Sequence, residues 1–260
     1  MFFTGLRCLK TDSGSVRPAA HDNRRFQFKG GISIVISYQN DTELFSLVRE
    51  SLYTAVVGDI MDKMGLVHQF LPPQIRPLKD DMFLVGRAMT VLESDIEDIT
   101  DERILNKPFG MMLEALDSLQ EGEIYVCSGS SYRYALLGEI MTARLLYCKG
   151  AGAVLNGYLR DTKGILEQNV PVFSAGSYAQ DQAPRGKVLD YRVPITFGDV
   201  VIHPGDLVIG DIDGVLTVPQ DREKEIIESA YEKATGEKNV AKAIKAGMPA
   251  AEAFSRFGIM

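Results

Sequence analysis

Arg160 and Asp161 stand side by side, and twenty residues separate them from Glu139, which follows Gly138. An Arg-Asp pair offers a guanidinium fork for an oxyanion and a carboxylate for a hard cation. If Gly138 and Glu139 open a helix, its first unpaired N–H groups and positive dipole end add a place for a carboxylate or phosphate. The intervening residues supply the elements that would hold these groups. Ile140, Ala143, Leu145 and Leu146 recur at near-helical spacing and predict a helix to about Tyr147. Gly150 and Gly152 can end it, Ala153-Val154-Leu155 suits a buried strand, and Asn156-Gly157 turns the chain. In α/β sheets, helix starts and strand ends are where ligands bind. On spacing alone, a helix-capping Glu139 and a surface Arg160–Asp161 ion pair are the simpler account.

Glu139, twenty residues and then Arg160-Asp161 also resembles the acidic-X20-Arg-Asp signature of class II pyruvate aldolases. Those enzymes act on 4-hydroxy-4-methyl-2-oxoglutarate and 4-carboxy-4-hydroxy-2-oxoadipate, and their superfamily includes the RraA-like proteins, named for an inhibitor of ribonuclease E. Other segments fit the same pattern in order: 52–59 (LYTAVVGD), 85–88 (VGRA), 114–117 (EALD), 171–173 (PVF), 204–206 (PGD) and 211–214 (DIDG). The resemblance runs from about Asp41 to the C-terminus, leaving residues 1–40 as an extension.

The resemblance implies a single-domain layered α/β sandwich of the RraA-like, swivelling-domain-like type, assembling as a trimer or hexamer. It implies a divalent-metal-dependent lyase that cleaves a 4-hydroxy-2-oxo acid to pyruvate and a second carbonyl compound, with oxaloacetate decarboxylation as a side activity. Gly138, Glu139, Ile140 and Met141 would present backbone N–H groups to the substrate carboxylate. Arg160 would contact the keto oxygen, and Asp161 would bind Mg²⁺ or Mn²⁺. Glu139 would orient a water on the cation that moves the proton of the aldol hydroxyl. An acidic residue from a neighbouring subunit's C-terminal helix would approach this site, and Glu237 is the nearest match. Three departures stand out: Asn156-Gly157 replaces the usual Asp-Gly, Gly164 replaces an acidic residue, and Glu139 is one methylene longer than Asp. The alternative within the same resemblance is a non-catalytic regulator that binds a ribonuclease or helicase.

Composition narrows the remaining classes. A net charge of −7 and pI near 5.1 disfavour general nucleic-acid binding. Cys8, Cys127 and Cys148 form no CxxC, and His21, His68 and His203 are too scattered for a histidine-built zinc site. No run approaches the roughly 18–20 apolar residues that span a bilayer, and the first residues lack an export signal's pattern, so a cytoplasmic protein is expected. Ser128–Ser131 lacks the Gly-Lys-Ser/Thr ending of a phosphate loop, and Asp211-Ile212-Asp213-Gly214 lacks the remaining ligands of a calcium loop.

The remaining elements follow from local patterns. Ile32–Ser37 suits an edge strand, and Asp41 or Thr42 can cap a helix bearing Leu44, Phe45, Val48 and Leu52 on one face. A second helix spans Val56 to Met64, and Phe83–Leu92 reads as a long strand in which Arg87 suits an internal ion pair. Glu93–Lys107 carries six acidic residues and reads as a solvated loop or a lid. Phe109–Leu119 is helical, with its methionines in the core. Strands follow at 124–127, 171–174, 188–197 and 200–203, and 207–210 pairs with 215–218 as a hairpin. Helices at 221–235 and 240–247, parted by Gly236, and a short one at 251–260 complete the chain.

Overall fold

The computed structural model describes residues 37–258, so the extension to residue 36, with nearly all of the expected strand at Ile32–Ser37, lies outside the described residues. In chain order the helices are α1 (Asp41–Ser51), α2 (Thr54–Lys63), α3 (Glu102–Leu105), α4 (Met112–Asp117), α5 (Glu139–Tyr147), α6 (Thr162–Gln168), α7 (Glu223–Lys245) and α8 (Ala250–Phe257). The strands are β1 (Arg76–Pro77), β2 (Leu84–Asp95), β3 (Glu123–Ser128), β4 (Ala135–Leu137), β5 (Gly152–Leu155), β6 (Tyr158–Leu159), β7 (Val172–Ser174), β8 (Gly186–Tyr191), β9 (Ile195–Phe197), β10 (Val200–Ile202), β11 (Leu207–Asp211) and β12 (Gly214–Val218).

The main sheet runs β1-β7-β5-β3-β2-β11-β12, with β8 also pairing with β2. β2, β3, β5 and β7 are mutually parallel, while β11 and β8 pair antiparallel with the two halves of β2. Helices and small strands cover both faces of the parallel part, which explains its unbroken apolar runs. Tyr125, Cys127, Ala153 and Leu155 pack toward α4, α5 and α6. Ile124, Val126 and Val154 pack toward β9 and β10. A second layer forms where Leu44, Val48, Ile60, Ile226 and Ile227 bury the helices α1, α2 and α7 against β11 and β12. Each such Leu, Ile or Val side chain removed from water contributes about 1.5–3 kcal/mol.

A two-stranded strip outside the main sheet positions the chemistry. β4 pairs in parallel with β6, placing Leu137 opposite Leu159, and Arg160 N donates to Leu137 O at 2.9 Å. Gly138-Glu139 and Arg160-Asp161 therefore leave two neighbouring strands together, although more than twenty residues separate them.

Several expectations need correction. The cap of α1 is Asn40, whose side chain accepts from Glu43 N at 2.9 Å. The stretch beginning at Glu93 becomes a solvent-facing segment only after Asp95: β2 continues to that residue because β8 pairs with it, and Glu93 is 1% exposed. The strand expected at 188–197 breaks into β8 and β9 at Arg192, whose φ is 56°. α7 runs unbroken through Gly236, because Lys233, Ala234 and Val240 are buried on either side of it. That packing outweighs the ~1 kcal/mol that a helical glycine costs. Arg87 does take the ion-pair role, with Asp41 at 2.5 Å and with Glu223. Asp211 caps α2, its carboxylate accepting from Thr54 N at 2.8 Å and Thr54 Oγ1 at 2.7 Å. The 211–214 segment is thus a hairpin turn with a capping carboxylate.

Candidate active site at the first turn of α5

Gly138 is the N-cap of α5 and contributes no side-chain cap. Asp161 takes over that task from across the strip, its Oδ2 accepting from Glu139 N at 3.2 Å. A Cβ at position 138 would sit 2.7 Å from the same oxygen and about 3.5 Å from Arg160 Nε. Glycine is needed there for space, since its own backbone is extended. Asp161 itself has φ 58° and ψ 35°, the left-handed region that Asp tolerates better than most residues. This strained backbone starts α6 and turns the carboxylate back toward α5.

Of the expected carboxylate-binding N–H groups, two are already engaged: Glu139 N by Asp161, and Met141 N by Gly138 O at 3.1 Å. Ile140 N has no carbonyl within the helix to reach. Arg160 Nη1 meets Asp181 Oδ1 at 2.8 Å, and its Nε lies 3.9 Å from Asp161 Oδ2. Its guanidinium is therefore fixed between two carboxylates. Glu139 is exposed, and its carboxylate lies over Gly164, where any Cβ would overlap it. Two of the three departures thus meet in space: the longer acid at 139 fills the place left by the missing side chain at 164. The third, Asn156, donates to Ser128 Oγ at 2.9 Å and accepts from the Tyr132 hydroxyl at 2.5 Å, outside the cavity lining.

A cavity of about 400 Å³ opens beside these residues, with Gly138, Ile140, Met141, Arg160 and Asp161 on one wall. Phe109, Met112, Leu113 and Leu116 join Ile140 and Met141 in the apolar part of the lining, with Asp181 and Gln182 also reaching the space. A smaller cavity of about 260 Å³ lies at the same Arg160-Asp161 pair and is lined by Thr162, Ser177 and Tyr178. Behind Gln182 sits a buried polar group that no sequence signal indicated. Gln182 Nε2 donates to Glu93 Oε1 at 2.8 Å, and the Tyr134 hydroxyl reaches Asp95 Oδ1 at 2.9 Å and Glu93 Oε1 at 3.4 Å. Burial pushes the Glu93 carboxyl up to about 8. Burial acts on Asp95 in the same sense but is outweighed by hydrogen bonds from Ser131, Arg133 and Tyr134, so its pKa is lowered.

Glu237 does not line this cavity in its own chain. Lys233 Nζ donates to its Oε1 at 2.6 Å and the Tyr53 hydroxyl to its Oε2, in a group that includes Asp59. Among the described residues no three His, Cys, Asp or Glu side chains converge. Asp181 and Gln182 belong to a loop whose sequence carries no motif, and they become visible only through their contacts with Arg160 and Glu93.

Residues 54–217, which contain every element of this site, match the RraA-like family (Aldolase/RraA). The chain belongs to that family. A relative from Halalkalibacterium halodurans, named "Putative 4-hydroxy-4-methyl-2-oxoglutarate aldolase", is 28% identical over 203 residues, which are 77% of this chain and 89% of that protein. A crystal structure reported among novel cellulases from microbes associated with the gut ecosystem is 33% identical, with a TM-score of 0.70, and covers 80% of this chain and 91% of that one. The RraA-family protein RraAS2 of Streptomyces coelicolor shares the fold at 24% identity, with a TM-score of 0.66, over 78% of this chain and 98% of that one. This RraA-like chain contains no described helix that is long and apolar enough to cross a membrane.

Proposed function

We propose that the protein is a divalent-metal-dependent aldolase cleaving a 4-hydroxy-2-oxo acid to pyruvate and a second carbonyl compound, with oxaloacetate decarboxylation as a side activity. The observation that carries this reading is the Asp161 carboxylate, set beside Arg160 and turned to the first turn of α5 on a cavity wall. The donor set fits a hard cation: the acids nearest Arg160, Asp161 and Asp181, and Glu139 at the same helix start offer oxygen alone. Gly138 also leaves open the space beside Asp161 Oδ2 that a Cβ would fill. Mg²⁺ and Mn²⁺ suit carboxylate and water ligands, and Mg²⁺ keeps several waters, so a site needs few protein carboxylates. Asp161 would hold the cation, and Glu237 would join only from a neighbouring subunit after parting from Lys233 and Tyr53. When bound, the cation supplies positive charge that polarises the 2-oxo group.

The chain's own groups do the rest. The first turn of α5 receives the substrate carboxylate at Ile140 N. Arg160, its plane fixed by Asp181, donates to the keto oxygen and stabilises the negative charge that grows there as the enolate forms. Glu139 accepts the C4 hydroxyl proton through a water. The apolar wall limits water around the enolate carbon. The reading includes a homotrimer or hexamer with the site between subunits. Ile140, 87% exposed, and Leu113, 55% exposed, flank the cavity as apolar surface that such an assembly would cover.

The test is pyruvate release from oxaloacetate and from a panel of 4-hydroxy-2-oxo acids, with and without Mg²⁺. Turnover should require the metal, stop with chelator and fall at least ~100-fold in Asp161→Asn, a loss of about 2.7 kcal/mol in transition-state stabilisation. Absence of turnover with every divalent metal tried, or an undiminished Asp161→Asn, would sink the reading. Capture of a stoichiometric ribonuclease or helicase by a protein that binds no metal would favour the regulator instead.

A further inference from the structure

Resting on the aldolase reading, we infer that the substrate is a 4-hydroxy-2-oxo monocarboxylic acid with an apolar aliphatic or aromatic group at C4, rather than a dicarboxylate. The polarity of the site divides at Arg160-Asp161. On one side, Thr162, Ser177 and Tyr178 line the smaller cavity. On the other, the larger cavity is walled by Phe109, Met112, Leu113, Leu116, Ile140 and Met141. With the 2-oxo acid head held at Arg160-Asp161, the C4 substituent extends along this apolar wall.

A second carboxylate would find each lining guanidinium already facing a carboxylate. The lining has two basic side chains, Arg160 and Arg144. Arg160 is held by Asp181 at 2.8 Å. Arg144 Nε lies 2.8 Å from Asp117 Oδ1, and its guanidinium stacks 5.0 Å from the centre of the Tyr147 ring. Three carboxylates, Asp117, Asp161 and Asp181, face these two guanidiniums, and with a divalent cation at Asp161 and the 2-oxo acid head bound the charges balance, so no positive charge is left over for a second carboxylate. Burying a carboxylate without a partner is costly, whereas an alkyl or aryl group gains from the same wall. The reaction balances without a co-reactant. The C4 hydroxyl loses its proton, the C3–C4 bond breaks, and its electron pair passes into the pyruvate enolate. C4 leaves as an apolar aldehyde or ketone, and the enolate takes a proton at C3.

Binding tests this without depending on turnover. Full-length protein with Mg²⁺ is titrated calorimetrically with three 2-oxo acids that lack the C4 hydroxyl: 2-oxo-4-methylpentanoate, 2-oxo-4-phenylbutanoate and 2-oxoglutarate. The two apolar acids should bind at least tenfold more tightly than 2-oxoglutarate. Leu113→Arg, with its oligomeric state matched to the wild type by sedimentation, should improve 2-oxoglutarate binding at least tenfold and narrow the gap. In parallel, kcat/KM for pyruvate release should favour 4-alkyl or 4-aryl over 4-carboxy substrates. Equal or tighter 2-oxoglutarate binding by the wild type overturns the inference, and metal-dependent cleavage of a 4-carboxy substrate then leaves the aldolase reading standing. Failure to bind any 2-oxo acid, or binding of the apolar acids with no pyruvate released from any substrate, overturns both.

Discussion

At the residue scale the site is a set of short-range exclusions. Gly138 is small so that Asp161 can reach Glu139 N, and Gly164 is small so that Glu139 has somewhere to lie. Gly138→Ala should lower turnover at least tenfold by displacing the Asp161 carboxylate, while thermal melting shows the protein still folded. Gly164→Asp should set a second carboxylate against Glu139. Like charges raise a carboxyl pKa, so the acidic limb of the pH–rate profile should move up, and Gly164→Ser should move it less. Asp161→Asn is the cleaner loss-of-function variant, because Asn also tolerates the left-handed backbone that Ala resists. Glu139, Arg160 and Asp161 were legible because a fixed spacing ties them to one helix–strand unit. Asp181 was not, because its importance lies in meeting Arg160, and no local pattern encodes that meeting.

At the element scale, β2 corrects the most instructive misreading. The acidic composition of Glu93–Lys107 pointed to solvent, yet β8 carries β2 onward and encloses Glu93. With its pKa pushed up by burial to about 8 from the ordinary 4.5, Glu93 stays protonated in the native state while its unfolded counterpart ionises. Its contribution to stability is therefore complete below about pH 4.5 and declines as pH rises to about 8, with a slope of at most ~1.4 kcal/mol per pH unit. Urea titrations across that range should show the decline in the wild type and a flatter profile in Glu93→Gln. Asp95 acts in the opposite sense, its stabilisation fading as pH drops through its lowered pKa. The cap on α2 offers a second check: Asp211→Ala should cost about 1–2 kcal/mol in the same titration, because Thr54 N and Oγ1 lose their acceptor. The amphipathic helices and the apolar parallel strands were readable from periodicity. β4 and β6 were not, since three and two residues are too few to carry a period.

At the scale of the whole molecule, Arg87 ties three elements together: it lies on β2 and meets Asp41 on α1 and Glu223 on α7. Glu223 is 10% exposed at its side chain and Asp41 51%, so their removal should not cost the same. Arg87→Met, which strands the more buried acid, should destabilise by about 2–4 kcal/mol, and Asp41→Ala by no more than ~1 kcal/mol, measured by denaturant unfolding. The reactive groups, by contrast, all hang from the narrow β4–β6 strip, five residues outside the seven-strand path that lean on the loop at 176–180 through backbone hydrogen bonds. A short strip braced by a loop opens at lower cost than the central strands. A protein built this way has a fuse: mild urea should extinguish activity before circular dichroism registers any melting, and the Arg160 amide should exchange its proton for deuterium sooner than that of Val126 in the central strand.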